Sequence, residues 1–125
     1  MIKILMIGMG GFLGAVSRYF VAGLAQKISN NPFFPYGTMT VNIIGCFFIG
    51  LIAALVHEKG YFGPNARLFI MVGLLGSFTT FSTFSNETFS LIGDGQLLSA
   101  AVNIIASIVL GLFGVWLGYY VANLI

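Results

Sequence analysis

The chain has 125 residues, of which 58% are hydrophobic and only 6% are charged, and its formal net charge is +2. A soluble domain carries roughly 25% charged residues on its solvated surface, so this composition argues against a soluble protein and indicates one that crosses a membrane several times. The few positive charges are also spread too thinly for a nucleic-acid interface.

Four apolar segments account for nearly the whole chain and predict an all-α membrane protein. A helix needs about 20 mostly apolar residues to cross the hydrocarbon layer. The predicted spans are residues 2–25, 36–56, 66–91 and 97–124, separated by short polar turns, and together they form a single transmembrane domain over residues 1–125. The first segment is predicted to be retained, because Arg18 does not fit the apolar core of a cleavable signal peptide.

The basic residues give the chain little preference for one orientation. With four spans both termini lie on one side, together with Lys3, Lys59 and Arg67, whereas Arg18 and Lys27 lean to the other side. An excess of Lys and Arg normally marks the cytoplasmic side. The near balance has two interpretations: a short protein with few charges, or copies that insert both ways and pair as an antiparallel dimer.

The first segment combines small residues with one charge. Gly10 and Gly14 form a GxxxG step, which Gly114 and Gly118 repeat in the fourth segment, and this spacing lets helix backbones approach closely in lipid. Placing the charged Arg18 side chain at mid-bilayer would cost at least about 2.5–3.5 kcal/mol of insertion free energy. It therefore either extends to the headgroups or forms an electropositive vestibule that gathers anions.

The second segment opens with polar side chains on one helical face. Thr38 and Asn42 are four residues apart and lie above one another on a helix. The asparagine amide offers two N–H donors, which must find partners within a membrane. It serves either as an interhelical hydrogen bond or as a donor in an ion pathway.

The third segment contains the stretch GSFTTFSTFSNE at residues 76–87. In a helix that begins after Thr80, Phe81 and Phe84 point to one side, and hydroxyls such as those of Ser82 and Thr83 cover other positions. These donors, together with the partly positive edges of the rings, suit an anion.

A break in the third helix is predicted at Thr79 and Thr80, directly after GSF, because the threonine hydroxyls and Gly76 weaken regular helix there. Broken helices at membrane depth line cavities or bind ions, so free carbonyls at the break could hold a small cation. Glu87 is the only carboxylate near a span. The chain offers no metal-ligand cluster and no nucleophile with a base, so an enzyme is not expected.

Three blocks of the chain resemble the signature blocks of the Fluc (CrcB) fluoride channels: GGFLGAVSRY at 10–19, GTMTVNIIGCFFIG at 37–50 and GLLGSFTTFSTFSNE at 73–87. The resemblance covers all four spans. It implies a dual-topology antiparallel homodimer with two pores, each built from both subunits. It further implies a multi-pass protein of the cell (inner) membrane that exports fluoride passively and selectively and so relieves fluoride toxicity, with fluoride, membrane lipid and a second copy of the chain as partners.

The resemblance also implies roles for individual residues. Those of the fluoride pore are the ring pair Phe81 and Phe84, with Asn42, Thr38, Ser82, Thr83 and Ser107. Arg18 and Glu87 would act electrostatically at the vestibule and pore side, and the backbone carbonyls of Gly76 and Thr79 would bind a structural sodium ion at the dimer interface. At position 103 this chain has asparagine where some members of the family have tyrosine.

Two other classes of protein are considered. A small dual-topology multidrug exporter coupled to protons needs a glutamate in its first helix, and the first segment contains no acid. A structural subunit would use its Ser, Thr and Asn residues only for packing, and single substitutions of them would then be mild, because such hydrogen bonds average about 0.6 kcal/mol.

Overall fold

Helices account for nearly the whole chain in the computed structural model, which describes residues 1–125. Their order is α1 (Ile2–Ser29), α2 (Tyr36–His57), α3 (Pro64–Arg67), a π-helix (Leu68–Leu75), α4 (Gly76–Phe78), α5 (Phe81–Gly93) and α6 (Leu97–Leu124). The stretches Ile2–Ser29, Tyr36–His57, Pro64–Gly93 and Leu97–Leu124 are each long and apolar enough to cross a membrane. The prediction of an all-α, multi-pass membrane protein is therefore confirmed.

The first helix is longer than predicted. It continues past residue 25 to Ser29, so Gln26 and Lys27, which were expected in a turn, are helical. Both are good helix formers, and a basic side chain in the last turn interacts favourably with the helix dipole. The helix ends at Asn30, whose left-handed backbone (φ 54) is a conformation that asparagine adopts readily.

The predicted GxxxG contacts lie within one protomer. Helix α1 packs on the π-helix, where a Cβ on Gly10 or Gly14 would collide with the carbonyl oxygen of Phe69 or Leu74. Helix α6 packs on α2 in the same way, since a Cβ on Gly118 would collide with the carbonyl of Phe47. These glycine faces are therefore occupied inside the protomer and are not available to a second copy.

Side-chain hydrogen bonds connect neighbouring helices at both ends of the bundle. At the end that carries the termini, the Tyr119 hydroxyl of α6 donates to Glu58, which follows α2. At the opposite end the Gln26 amide donates to the Asn31 and Phe34 carbonyls (2.6 and 3.1 Å) and accepts from the Gly37 N–H (3.0 Å). The Gln26 side chain thus fixes the α1–α2 turn over the start of α2.

The third crossing changes its backbone conformation along its length. After the π-helix and the single turn of α4, Thr79 and Thr80 have extended backbones (ψ 157 at Thr79; φ −151 and ψ 116 at Thr80), and α5 begins at Phe81. We refer to Thr79 and Thr80 as the threonine link. It lies beside α2, and the polar residues of the second and third segments meet there.

Candidate functional site

The threonine link is held by the side chain of Asn42 from α2. The Thr80 N–H donates to Asn42 Oδ1 at 2.8 Å, and Asn42 Nδ2 donates to the Thr80 carbonyl at 3.1 Å. In a continuous α-helix the Thr80 N–H would instead bond the carbonyl of Gly76. Because a backbone group without a partner is costly inside a membrane, the Asn42 amide stabilises the extended conformation. It makes the interhelical contact that was one of its two predicted roles.

Hydroxyl groups cluster at the start of α5. Thr80 is the N-cap residue, and its Oγ1 accepts from the Thr83 N–H at 3.3 Å. The same oxygen lies 3.3 Å from Ser82 Oγ and donates to Thr83 Oγ1 at 3.0 Å. Ser82 and Thr83 are exposed on the protomer, so the hydroxyls that the sequence placed on this helix form one accessible polar cluster.

The rings of Phe81 and Phe84 lie together, as the helical spacing predicts. Their centroids are 5.8 Å apart and their planes are inclined by 41°. Phe81 is 80% exposed and Phe84 is half-buried. The exposed ring lies next to the hydroxyl cluster, so ring edges and O–H donors share one surface.

A concavity of about 370 Å³ opens beside the threonine link. It is lined by α2, the π-helix, α4, the link and the first residue of α5: Asn42, Gly45, Cys46, Ile49, Met71, Leu75, Gly76, Thr79, Thr80 and Phe81. Gly76 and Thr79, the predicted cation ligands, are therefore both among its lining residues. Since the Thr80 N–H bonds Asn42, the Gly76 carbonyl is released from the partner that a continuous helix would give it.

Further along α5, Glu87 faces the start of α2. Thr38 Oγ1 donates to Glu87 Oε1 at 2.8 Å, and Thr38 itself is buried. The other carboxylate oxygen, Oε2, is buried and has no hydrogen-bond partner in the protomer. A second concavity, of about 470 Å³, includes Glu87 and Asp94 in its wall beside the α1–α2 turn. The carboxylate thus lies between the interior of the bundle and an opening at its end.

A third polar contact of α5 was not predicted from the sequence. Asn103 Nδ2 of α6 donates to Thr88 Oγ1 at 2.8 Å, and Thr88 Oγ1 donates to the Phe84 carbonyl at 2.7 Å. Asn103 was noted only as a departure from the family pattern. The available signal was the position of Thr88, four residues after Phe84, where a hydroxyl can reach the preceding turn.

Two predicted site residues lie outside these contacts. Arg18 is half-buried on α1 and takes no part in the hydrogen bonds that join Asn42, Thr38 and Asn103 to the third crossing. Ser107 lies one turn after Asn103 on α6, and its hydroxyl is buried without a partner. The hydrogen bonds therefore connect residues of α2 with those of the third crossing, and they include neither Arg18 nor Ser107.

Comparison with known proteins identifies the family. A family model described as CrcB-like protein, Camphor Resistance (CrcB), matches residues 5–119. The chain is 46% identical over 118 residues to Fluoride-specific ion channel FluC 1 of Methanosarcina acetivorans, covering 94% of this chain and 88% of the relative. It is 44% identical over 123 residues to Fluoride-specific ion channel FluC of Geobacter sulfurreducens, covering 98% of both chains. The match to the channel of the same name from Methylobacillus flagellatus is 41% over 119 residues, or 95% of this chain and 93% of that one. On this evidence the chain belongs to the CrcB family.

Proposed function

We propose that this protein is a passive, fluoride-selective ion channel that exports fluoride across the cell membrane and so relieves its toxicity. Relatives that match it over nearly their full length are named fluoride-specific ion channels. The structural observation that carries the proposal is the Phe81–Phe84 ring pair, 5.8 Å between centroids, beside the exposed hydroxyls at the start of α5.

The chemistry of this surface suits fluoride. A small, strongly hydrated anion gives up its water only where hydrogen-bond donors or positive partial charges replace it. Ser82 and Thr83 offer hydroxyls, and the edges of Phe81 and Phe84 carry partial positive charge. In this proposal the rings contact the ion directly and the hydroxyls line the path toward one vestibule.

The functional unit is an antiparallel homodimer with two pores. Helix α5 exposes Ser82, Thr83, Ser85 and Asn86, and lipid satisfies none of these groups. The glycine faces of α1 and α6 are already used within the protomer, whereas the concavity beside the threonine link is open to a second copy. If a two-fold axis passes through this concavity, the same surface of each copy packs against the other. The near-even distribution of basic residues permits insertion in both orientations.

The break in the third transmembrane helix at the threonine link has a function in this proposal: it binds a structural sodium ion. Unwound carbonyls within membranes are known ligands of sodium. Gly76 and Thr79 line the concavity that the second copy would cover, and the Gly76 carbonyl lacks the Thr80 N–H as a partner. Two carbonyls from each copy would then coordinate the ion on the two-fold axis.

The remaining residues serve the approach to the pore. Arg18 is half-buried in a span and supplies positive charge that gathers anions at a vestibule. Asn42 has a second Nδ2 hydrogen beyond the one that bonds Thr80. Thr38, Glu87 and Ser107 contribute polar groups along the path, and both Glu87 Oε2 and Ser107 Oγ are unpaired in the protomer.

The alternative of a proton-coupled multidrug exporter is not supported. The curated relatives carry the name of an ion channel, and α1 contains neither Asp nor Glu. An exporter of that type needs a membrane-embedded acid in its first helix to exchange protons for substrate.

Fluoride efflux from liposomes tests the proposal. Purified protein is reconstituted into vesicles loaded with potassium fluoride, and efflux is followed with a fluoride electrode after valinomycin is added. We expect rapid electrogenic efflux of fluoride, little efflux of chloride in matched vesicles, and no change when a proton gradient is imposed. Vesicles that retain their fluoride would overturn the proposal, and efflux that follows the proton gradient would indicate a coupled transporter.

A further inference from the structure

Three side chains of neighbouring helices form hydrogen bonds to α5 and its N-cap residue, Thr80. Two come from α2: the Asn42 amide holds the link at Thr80, and Thr38 donates to Glu87. The third comes from α6, where Asn103 donates to Thr88. Asn103 is therefore the only residue of α6 whose side chain hydrogen-bonds the helix that carries the ring pair.

The contact at Asn103 continues to the backbone of Phe84. Thr88 Oγ1 accepts from Asn103 Nδ2 at 2.8 Å and donates its own proton to the Phe84 carbonyl at 2.7 Å. A threonine that bonds the carbonyl one turn earlier bends its helix and changes the geometry at that carbonyl. A hydroxyl has one O–H donor and two acceptor lone pairs. The Thr88 hydroxyl can therefore donate to the Phe84 carbonyl and accept from Asn103 at the same time.

Asn103 does not reach the exposed surface that carries the Phe81 ring and the hydroxyls of Ser82 and Thr83. It is 1% exposed and Thr88 is 6% exposed, so both lie inside the protomer. Stability does not explain an asparagine here either. Its Oδ1 is buried without a partner, and a buried acceptor without a hydrogen bond opposes folding, so an apolar residue would suit the packing at least as well.

We propose that Asn103 is a positioning residue for the fluoride path: through Thr88 it fixes the Phe84 carbonyl, and with it the placement of the Phe84 ring against Phe81. This inference rests on the proposed function, since the ring pair matters only if it contacts the transported ion. It assigns to Asn103 of α6 a part in setting the position of the ring pair on α5.

The first test reads the Phe84 carbonyl directly. The chain contains three Phe–Ser dipeptides, at residues 81–82, 84–85 and 89–90, so protein labelled with carbonyl-¹³C phenylalanine and ¹⁵N serine gives three assignable NMR signals. We expect Thr88→Val to move the Phe84 signal and Asn103→Leu to move it less in the same direction, because Thr88 keeps its own bond in the second variant. The Phe89 signal is the internal control and stays in place.

The second test is fluoride efflux in the same variants. Asn103→Leu and Thr88→Val are each expected to lower efflux about threefold. This factor corresponds to the loss of one interhelical hydrogen bond of average strength in a membrane. Fluoride efflux of the double variant is no lower than that of the less active single variant, because both substitutions interrupt the same chain of hydrogen bonds. Thr88→Ser keeps the hydroxyl and retains the efflux of the parent protein.

The outcomes separate this inference from the proposed function. A parent protein that does not conduct fluoride removes the proposed function, and the carbonyl signals still report whether Asn103 acts on Phe84. The inference is overturned if Asn103→Leu leaves the Phe84 signal unmoved, or if its effect on efflux is undiminished when Thr88 is already valine. Either result would indicate a residue that only fills space between α5 and α6.

Discussion

Asn42 and Thr80 exchange two hydrogen bonds between α2 and the third crossing, at 2.8 and 3.1 Å. One planar amide thus pairs with both backbone groups of a residue that has no regular helical partner for its N–H. The start of α5, and therefore the position of the ring pair, depends on a side chain from another helix.

Replacing Asn42 by leucine should therefore destabilise the folded protein more than an ordinary substitution in the membrane. It leaves the N–H and carbonyl of Thr80 unpaired, and each buried unsatisfied group costs about 1–3 kcal/mol. We expect a lower midpoint of thermal unfolding in detergent together with loss of fluoride efflux. Thr40→Val is the control, because Thr40 lies in the same turn and makes no side-chain hydrogen bond to the link. Equal midpoints of thermal unfolding in the two variants would contradict the conclusion that Asn42 stabilises the threonine link.

The ring pair makes a second prediction. Phe81→Ile and Phe84→Ile keep an apolar side chain but remove the ring edges, so fluoride efflux should fall to the background of empty vesicles while the protein elutes from size-exclusion chromatography as before. Phe89→Ile is the matched control, since Phe89 is on the same helix and is 74% exposed but belongs to no ring pair. Normal efflux in both Phe81→Ile and Phe84→Ile would remove the rings from the pathway.

Hydropathy and helical periodicity predicted the parts of this protein that depend on local sequence. The four spans follow from apolar length, and the meeting of Phe81 and Phe84 follows from a spacing of three residues on a helix. The partners of the polar residues depend on which helices become neighbours. That Asn42 would bond the backbone of Thr80, or Asn103 the side chain of Thr88, was therefore not predictable from one sequence. The π-helix was also missed, because its residues, LFIMVGLL, suit an ordinary apolar α-helix.

A third prediction concerns the packing of α1 on the π-helix, and its control lies two residues away in the same helix. A methyl group on Gly10 would meet the carbonyl of Phe69, whereas one on Gly8 meets nothing within 4 Å. Gly10→Ala should lower the free energy of unfolding by about 1–3 kcal/mol, the usual cost of overpacking. Gly8→Ala should be neutral or raise it by up to about 1 kcal/mol, because alanine is the better helix former. Thermal unfolding of both variants in the same detergent measures the difference, and equal midpoints would contradict close backbone contact at Gly10.

The last prediction concerns the proposed sodium site and its effect on the stability of the proposed dimer. A ligand that binds only the folded state stabilises it by about 2.7 kcal/mol at a concentration one hundred times its dissociation constant. The midpoint of thermal unfolding should therefore rise when sodium replaces N-methylglucamine at constant ionic strength, and potassium, which is larger, should raise it less. Gly76 and Thr79 would coordinate through backbone carbonyls, so Thr79→Ala should keep the sodium response although it removes the hydroxyl that donates to Leu75. A midpoint that is the same in all three salts, or a crystal structure with only water between the two threonine links, would reject the site and leave the dimer to be held by its protein contacts alone.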